Sequence, residues 1–578
     1  MKKLLRYLKK YILQCILAPL FKMLEASFEL IVPLVIAALI DDGIGSGNTG
    51  IIMQKVVVLF VLAFVGMVAA ITAQYFAAKA AIGFATNVRS ALFSHMMSLS
   101  AADADKLTTS TMINRMTTDI NQAQTGVNMF LRLFLRSPFV VFGAMIMAFT
   151  IDVKEALIFL AVIIVLFLVV AVITAANIPA LKIAQGKLDN ITRVVRENLM
   201  GVRTLRAFRL EKKEIEDFDS VNKNYVIAGK HAGAISALLN PVTYLIINLA
   251  IAVLIYTGGL QVRTGTLSTG QVIALYNYMS QILVELVKLS NLVVTLNKGV
   301  TAAGRISDVL QTSPSMVYGK SNGDDVIKGV PQIEFENVSL TYGDAKEAAL
   351  MNVSLQIYAG QTIGIIGGTG SGKSSMVNLF TRQYDATSGS VRFYGKDIKD
   401  YSKEYINSKV CAVLQKAVLI KGTIEDNLRM GNKNCTNEEM ITALKAAQAY
   451  DFVCEKGGLS AAVEQDGRNF SGGQRQRLSI ARAIVAHHDI VLFDDSTSAL
   501  DYVTERAFRQ ALENVGEGVT KIIISQRTSS IMNADMILVF EDGEMVGVGT
   551  HEELLNNCEV YKEIHNSAGR QYEEVQTV

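Results

Sequence analysis

The run Gly367-Gly368-Thr369-Gly370-Ser371-Gly372-Lys373-Ser374 fits G-x-x-x-x-G-K-[ST], the phosphate-binding P-loop. Ahead of it stands Gln361-Thr362-Ile363-Gly364-Ile365-Ile366, apolar and β-branched, which predicts a buried strand. Behind it, Ser375-Met376-Val377-Asn378-Leu379-Phe380 predicts the first turns of a helix. A strand, a glycine-rich loop and a helix are the context this motif requires. Glycines let backbone N–H groups turn toward an anion, and the helix N-terminus adds its positive dipole end. Lys373 is expected at the β- and γ-phosphates, and the Ser374 hydroxyl on Mg²⁺.

The chain has 578 residues, enough for several domains; half are hydrophobic and 19% charged. That charge content is below the ~25% of soluble domains. The apolar excess lies in roughly the first 300 residues. A net charge of only +2 gives no support for a nucleic-acid partner. Cys15, Cys411, Cys435, Cys454 and Cys558 are far apart and form no C-x-x-C, so neither a zinc site nor a disulfide framework is indicated. Four of them lie in the P-loop half, which fits a reducing cytosol. The basic start Met1-Lys2-Lys3-Leu4-Leu5-Arg6 is not read as a signal peptide. No small-residue cleavage site follows it, and the apolar run continues to Ile40.

Uncharged runs mark membrane spans. Val56–Ala78 and Ala156–Leu181 carry no charge, nor does His231–Val262 with a neutral histidine. Each exceeds the ~20 residues needed to cross a bilayer. Three further spans carry charge: Tyr11–Ile40 with Lys22, Glu25 and Glu29, Leu131–Ile151 with Arg132 and Arg136, and Gly270–Leu296 with Glu285 and Lys288. Six helices are predicted. Lys2, Lys3, Arg6, Lys9 and Lys10 precede the first, which places the N-terminus in the cytoplasm. The outer connections are then short and poor in Lys and Arg. The two inner ones, Lys79–Leu131 and Lys182–Lys230, keep helical periodicity. Arms of ~25 residues rising ~1.5 Å each reach ~35 Å from the membrane.

Lys22, Glu25 and Glu29 share one helical face. Intramembrane charges face a cavity or a partner. Either they line a hydrated path, or they pair with Arg132, Arg136 or Lys288. There is no Trp in the chain, so an aromatic belt must use Tyr and Phe.

Thr312–Pro331 holds Ser, Gly, Asp, Lys and two prolines and reads as a linker. From Gln332 the pattern becomes α/β, with Ile333–Leu340 as the first strand. Farther on, Ile490-Val491-Leu492-Phe493-Asp494-Asp495 is an apolar strand ending in two carboxylates, a Walker B strand whose Asp494 is expected to hold Mg²⁺. Phe470-Ser471-Gly472-Gly473-Gln474 matches LSGGQ with Phe for Leu. P-loop, SGGQ and Walker B in this order identify the chain as resembling the ATP-binding cassette (ABC) superfamily, and six spans ahead of the cassette resemble an exporter-type half-transporter.

That resemblance implies an α-helical six-span transmembrane domain with long cytoplasmic helical hairpins. An α/β P-loop NTPase cassette follows, with an antiparallel β subdomain and a helical subdomain. The expected divisions are 1–311 for the membrane domain, 312–331 for the linker, 332–570 for the cassette and 571–578 for a tail. It implies ATP and Mg²⁺ as ligands, with Gly367 to Ser375 on the phosphates. Tyr342 resembles the A-loop aromatic on adenine, and Gln415 the Q-loop glutamine on Mg²⁺ or water. Ser498-Ala499-Leu500-Asp501 resembles the D-loop. Asp105–Arg115 and Leu210–Phe218 resemble the two coupling helices, although Ser110 stands where many relatives have Gly. In the family, cassettes pair so that the P-loop of one faces Ser471–Gln474 of the other across ATP.

Two catalytic positions depart from the family. Asp495 stands where Glu polarises the attacking water, and its carboxylate falls ~1.5 Å short. A displacement of ~1 Å can cost ~10²-fold in rate. Gln526, in Ile522-Ile523-Ile524-Ser525-Gln526-Arg527, stands where the family has a switch His, and it carries no positive charge. Together they predict a site that binds ATP and hydrolyses it slowly. The intact Ser471–Gln474 would complete the site of a non-identical partner carrying the full Glu and His. The expectation is one half of a heterodimeric exporter of amphipathic, multidrug-type compounds in the bacterial plasma membrane. Alternatives are a homodimeric lipid or peptide exporter, and an ATP-sensing regulatory membrane protein that transports nothing.

Overall fold

A computed structural model describes residues 4–323, 329–343, 345–496, 506, 507, 510 and 518–576. It divides into two compact units: Met1–Met97 with Ser110–Thr312, and Ser98–Thr109 with Ser313–Val578.

Among the described residues, the first unit holds six helices long and apolar enough to cross a membrane: Leu4–Ile44, Thr49–Ser98, Thr109–Ile151, Val153–Met200, Glu211–Arg263 and Thr269–Gln311. Each outlasts the run that predicted it, because the helices continue beyond the apolar window. The third is not uniform: wider π turns interrupt it at Arg115–Asp119 and Phe130–Phe134. Its Gly126 meets Gly299 of the sixth helix so closely that a Cβ built on Gly126 would lie 3.1 Å from the Gly299 Cα. A side chain there would force the two helices apart by a few tenths of an ångström.

Alternating small and large side chains fill the core of this unit, with Ala26, Leu30, Ala144, Phe159, Leu254 and Tyr278 at its centre. The intramembrane charges other than Arg132 are paired. Lys22 holds Glu25 one turn away at 2.5 Å. Arg136 reaches Glu29 at 2.5 Å and also Glu285, so one guanidinium ties the first, third and sixth helices. Glu285 also takes the Ser137 hydroxyl at 2.8 Å and Lys288 at 2.9 Å. Arg132 instead donates to Gln74 at 3.2 Å. Of the first-helix charges, only Glu29 takes one of the expected partners on a neighbouring helix, Arg136, and its side chain stays 47% exposed; Glu25 pairs instead with Lys22 on its own helix.

Both inner connections are helical hairpins, but their turns lie earlier than the resemblance implied. The first turn helix is Ala101–Leu107, not Asp105–Arg115. It starts at a reciprocal cap in which the Ser100 hydroxyl accepts from the Asp103 N–H and Asp103 accepts from the Ser100 N–H. It ends at Thr108, whose φ of 58° is left-handed. The second turn helix is Val202–Ala207. Leu210–Phe218 instead opens the long Glu211–Arg263 helix, because the chain turns at Gly201 and at left-handed Arg209.

The second unit is built on two sheets. Strands β1 (Ile333–Leu340), β2 (Leu350–Ile357), β4 (Ser388–Phe393) and β5 (Lys396–Asp397) form an antiparallel sheet in the order β2-β1-β4-β5. The main sheet runs β12-β11-β3-β10-β9-β6, from Glu544–Gly549, Met536–Glu541, Thr362–Gly367, Thr520–Ile524, Ile490–Asp494 and Val410–Val413. All its neighbours are parallel except β11 with β12. Parallel strands covered on both faces need continuous apolar runs, which is how β3 and β9 read in sequence. A helical subdomain packs around Leu428, Met440, Leu444, Phe470 and Leu478. It carries the two-residue strands β7 (Gly422–Thr423) and β8 (Ala462–Val463).

Candidate functional site

The site grows from the C-terminal ends of β3 and β9, which lie on either side of β10. After β3 the chain turns through Gly370 and Gly372, with φ of 87° and 99°, into the helix Lys373–Phe380. A Cβ on Gly372 would lie 2.7 Å from Leu350 Cδ2 and 2.8 Å from the Ala349 carbonyl, so the loop closes only with glycine there. A Cβ on Gly368 or Gly370 would meet nothing within 4 Å. The loop therefore presents an open cradle of backbone at a helix N-terminus, which suits a phosphate chain. Lys373 folds over it, its Nζ donating to the carbonyls of Gly367 at 2.8 Å and Gly368 at 2.5 Å.

Two carboxylates face this lysine from the end of β9. Burial pushes the Lys373 ammonium below its usual range, against the pull of Asp495 and Asp494. Burial and then the neighbouring Asp495 charge raise Asp494 above the ordinary carboxylate range, with Lys373 opposing. A buried acid beside a second acid is a donor set for a divalent cation, which would relieve the repulsion. Ser374 stands at the start of the same helix as Lys373. The chemistry of this donor set, a hydroxyl and two carboxylates, is compatible with Mg²⁺.

Asp495 itself has a left-handed φ of 43°, a conformation Asp tolerates better than most residues. Its N–H donates to the Ile524 carbonyl at 2.9 Å, and its carboxylate accepts from Gln415 Nε2 at 3.2 Å. Gln415, eighty residues earlier, is thus brought directly to this second acid. Gln526 lies two residues past β10, exposed and without a hydrogen-bond partner among the described residues.

Tyr342 follows β1, and its hydroxyl is 3.1 Å from the Ser375 hydroxyl, on the first turn after the P-loop. Two residues of this cluster escaped sequence reasoning. Asn378 donates to the Tyr342 hydroxyl at 2.9 Å; it lies one turn beyond Ser374, so its helical spacing could have revealed it. Tyr384 packs its ring edge-on to Tyr342, centroids 4.9 Å apart, and its hydroxyl reaches Asp105 at 2.5 Å. Burial, then Asp105, pushes the Tyr384 phenol up to about 12. No local signal joins positions so distant in sequence.

Ser471, Gly472, Gly473 and Gln474 open the 14-residue helix Gly472–Val485. The Ser471 hydroxyl accepts from the Gln474 N–H, and Gln474 Oε1 accepts from the Ser471 N–H at 3.0 Å. This reciprocal cap holds the N-terminus with Ser471 and Gly472 exposed. Ser498–Asp501, the expected D-loop, lies outside the described residues.

Known proteins share this architecture. The family model described as ABC transporter transmembrane region matches residues 15–286, and that described as ABC transporter matches residues 350–498. An uncharacterised ABC transporter ATP-binding protein of Mycobacterium tuberculosis is 36% identical over 93% of this chain and 92% of its own length. One from Bacillus subtilis is 32% identical over 98% of each. An ATP-dependent lipid A-core flippase of Photorhabdus laumondii is 28% identical over 95% of this chain and 94% of its own. A solved bacterial Atm1-family ABC exporter with ATP bound superposes with a TM-score of 0.80 at 22% identity, covering 96% of this chain and 98% of that one.

Proposed function

The chain belongs to the ABC transporter family, and from that premise we propose that it is one subunit of a heterodimeric exporter whose own ATP site is a slow one. The observation that carries this reading is the pair Asp495 and Gln526 beside an otherwise complete P-loop, Walker B strand and SGGQ cap. Gly367 to Ser375 would hold the phosphates, with Tyr342 at the base. Ser374, Gln415 and Asp494 would hold Mg²⁺, which supplies charge neutralisation between the phosphates. The chain's own residues bind and orient: Lys373 and the loop amides fix the phosphates, and Gln415 orients Asp495. Asp495 takes a proton from water poorly because it is short, and Gln526 offers only a neutral hydrogen bond.

A pair of chains is supported by the hairpin of the fourth and fifth helices. Toward their inner ends these helices pack on each other through Ala180, Ala184 and Ala232. Around the turn, Leu199, Met200 and Phe208 are 70%, 83% and 72% exposed. Apolar side chains so exposed beyond the membrane fit a protein partner. The basic N-terminus supports a cytoplasmic cassette in a cell-membrane protein. The cargo is taken to be amphipathic small molecules, driven outward by alternating access.

The similarity to a lipid A-core flippase favours a second reading, a homodimeric lipid exporter. One comparison separates them: ATPase activity of this chain alone and co-assembled with the product of a neighbouring transporter gene. The heterodimer reading expects little activity alone and strong activity together. Full activity of the lone chain, indifferent to Asp495→Asn, would sink it. Uptake of dyes and lipids into inside-out vesicles then reads the cargo.

A further inference from the structure

The C-terminal helix Glu559–Gln576 reaches the segment that carries Gln526. His565 Nδ1 lies 3.0 Å from the Thr528 hydroxyl, and Thr528 is buried two residues past Gln526. On the other side of Gln526, the Ser525 N–H donates to the Ile365 carbonyl at 3.0 Å. The exposed Gln526 therefore sits between two fixed points, one in the main sheet and one on the C-terminal helix.

His565 is itself backed by packed structure. The His551 ring stands edge-on to it, centroids 5.4 Å apart. His551 Nδ1 is 2.7 Å from the Tyr561 hydroxyl. Tyr561 is fully buried with Ile366, Ile531 and Ile537. The histidine contact is thus the end of a rigid wedge, not a surface rotamer with a chance neighbour. Either neutral tautomer keeps the bond, with Nδ1 accepting from the hydroxyl or donating to it.

We propose that His565 is a positioning residue: through Thr528 it fixes the turn bearing Gln526, so that the C-terminal helix governs how long nucleotide is held at this P-loop. His565 acts through Thr528 and limits the orientations open to the Gln526 carboxamide. The inference rests on the nucleotide site proposed above.

The test follows release of a fluorescent, non-hydrolysable ATP analogue with Mg²⁺ from the full chain in nanodiscs. Lys373→Ala identifies the bound fraction that belongs to this P-loop. His565→Ala and Thr528→Val should each speed release of that fraction about fivefold, the worth of one net hydrogen bond. The double variant should release no faster than either single, and His565→Asn, whose amide stands near the Nδ1 position, should restore slow release. Wild-type rates in both singles, multiplicative effects in the double, or no rescue by Asn would overturn the proposal. Thr528→Val removes one hydroxyl at constant shape, so it carries the test if His565→Ala does not fold. If Lys373→Ala leaves the retained nucleotide unchanged, the site assignment fails first, and the proposal with it.

Discussion

Gln415 Nε2 donates to Asp495 Oδ2 across 3.2 Å, joining the strand end after β6 to the strand end after β9. The amide is fixed on the acid that stands where the family places its catalytic base. On the function proposed above, the short reach of Asp495, not its partner, limits that acid.

Lengthening the side chain and restoring the switch imidazole should therefore recover hydrolysis. Asp495→Glu with Gln526→His is expected to raise single-turnover ATP cleavage at this site by at least ~10-fold, the scale of a repositioned base. Asp495→Glu alone should gain less, because Glu fits the left-handed backbone at φ 43° less well than Asp. Rapid-quench measurement under conditions that silence any partner site reads both. No gain in the double variant would mean that the slow step lies elsewhere.

Asp494 gives a pH signature. Its folded-state pKa is raised above the ordinary 3.8 by burial and by Asp495. The folded chain thus keeps this proton to higher pH than the unfolded chain does. Stability linked to it is present below 3.8 and is lost as pH rises through the raised value. Asp494→Asn, neutral throughout, should raise the nucleotide-free melting temperature at pH 7 while abolishing Mg²⁺-dependent ATP binding. At any pH where wild-type Asp494 holds its proton, it would have to lose it to ligate Mg²⁺. The contribution of Mg²⁺ to ATP affinity should therefore fade with acidification earlier than at an ordinary aspartate, as isothermal titration across pH would show.

Arg136 ties Glu29 and Glu285 on two other helices. Arg136→Met leaves Glu285, 4% exposed, without its guanidinium, and breaking such a buried pair costs ~3–5 kcal/mol. Arg136→Met with Glu285→Gln should recover part of that loss. Thermal unfolding in one detergent compares the three. Equal melting temperatures would show that the network does not hold the helices together.

Tyr384 contacts Tyr342 at the nucleotide side and Asp105 on the first hairpin turn. Removing the hydroxyl with Tyr384→Phe deletes only the Asp105 bond. The expected result is near-normal ATP affinity, with hydrogen exchange in Ser98–Thr109 faster by about tenfold, the scale of a hydrogen bond to a charged group. Unchanged exchange there would assign no anchoring role to the bond.

The sequence by itself determined the two-part plan. Uncharged runs longer than a bilayer need have one helical solution, and a glycine-rich loop between a β-branched run and a helix has one phosphate-binding solution. It also showed the Asp495 and Gln526 departures, since these are matters of residue identity. Only the tertiary structure decided which charges pair within the membrane, because Arg136 lies 107 residues from Glu29 and 149 from Glu285. It likewise moved both hairpin turns, which hang on left-handed Thr108 and Arg209 that no hydrophobic period marks. And it brought Gln415 to Asp495, Tyr384 to Asp105 and His565 to Thr528. Side-chain hydrogen bonds between distant segments leave no trace in local patterning, because the sheet order, not the chain order, sets who is near whom.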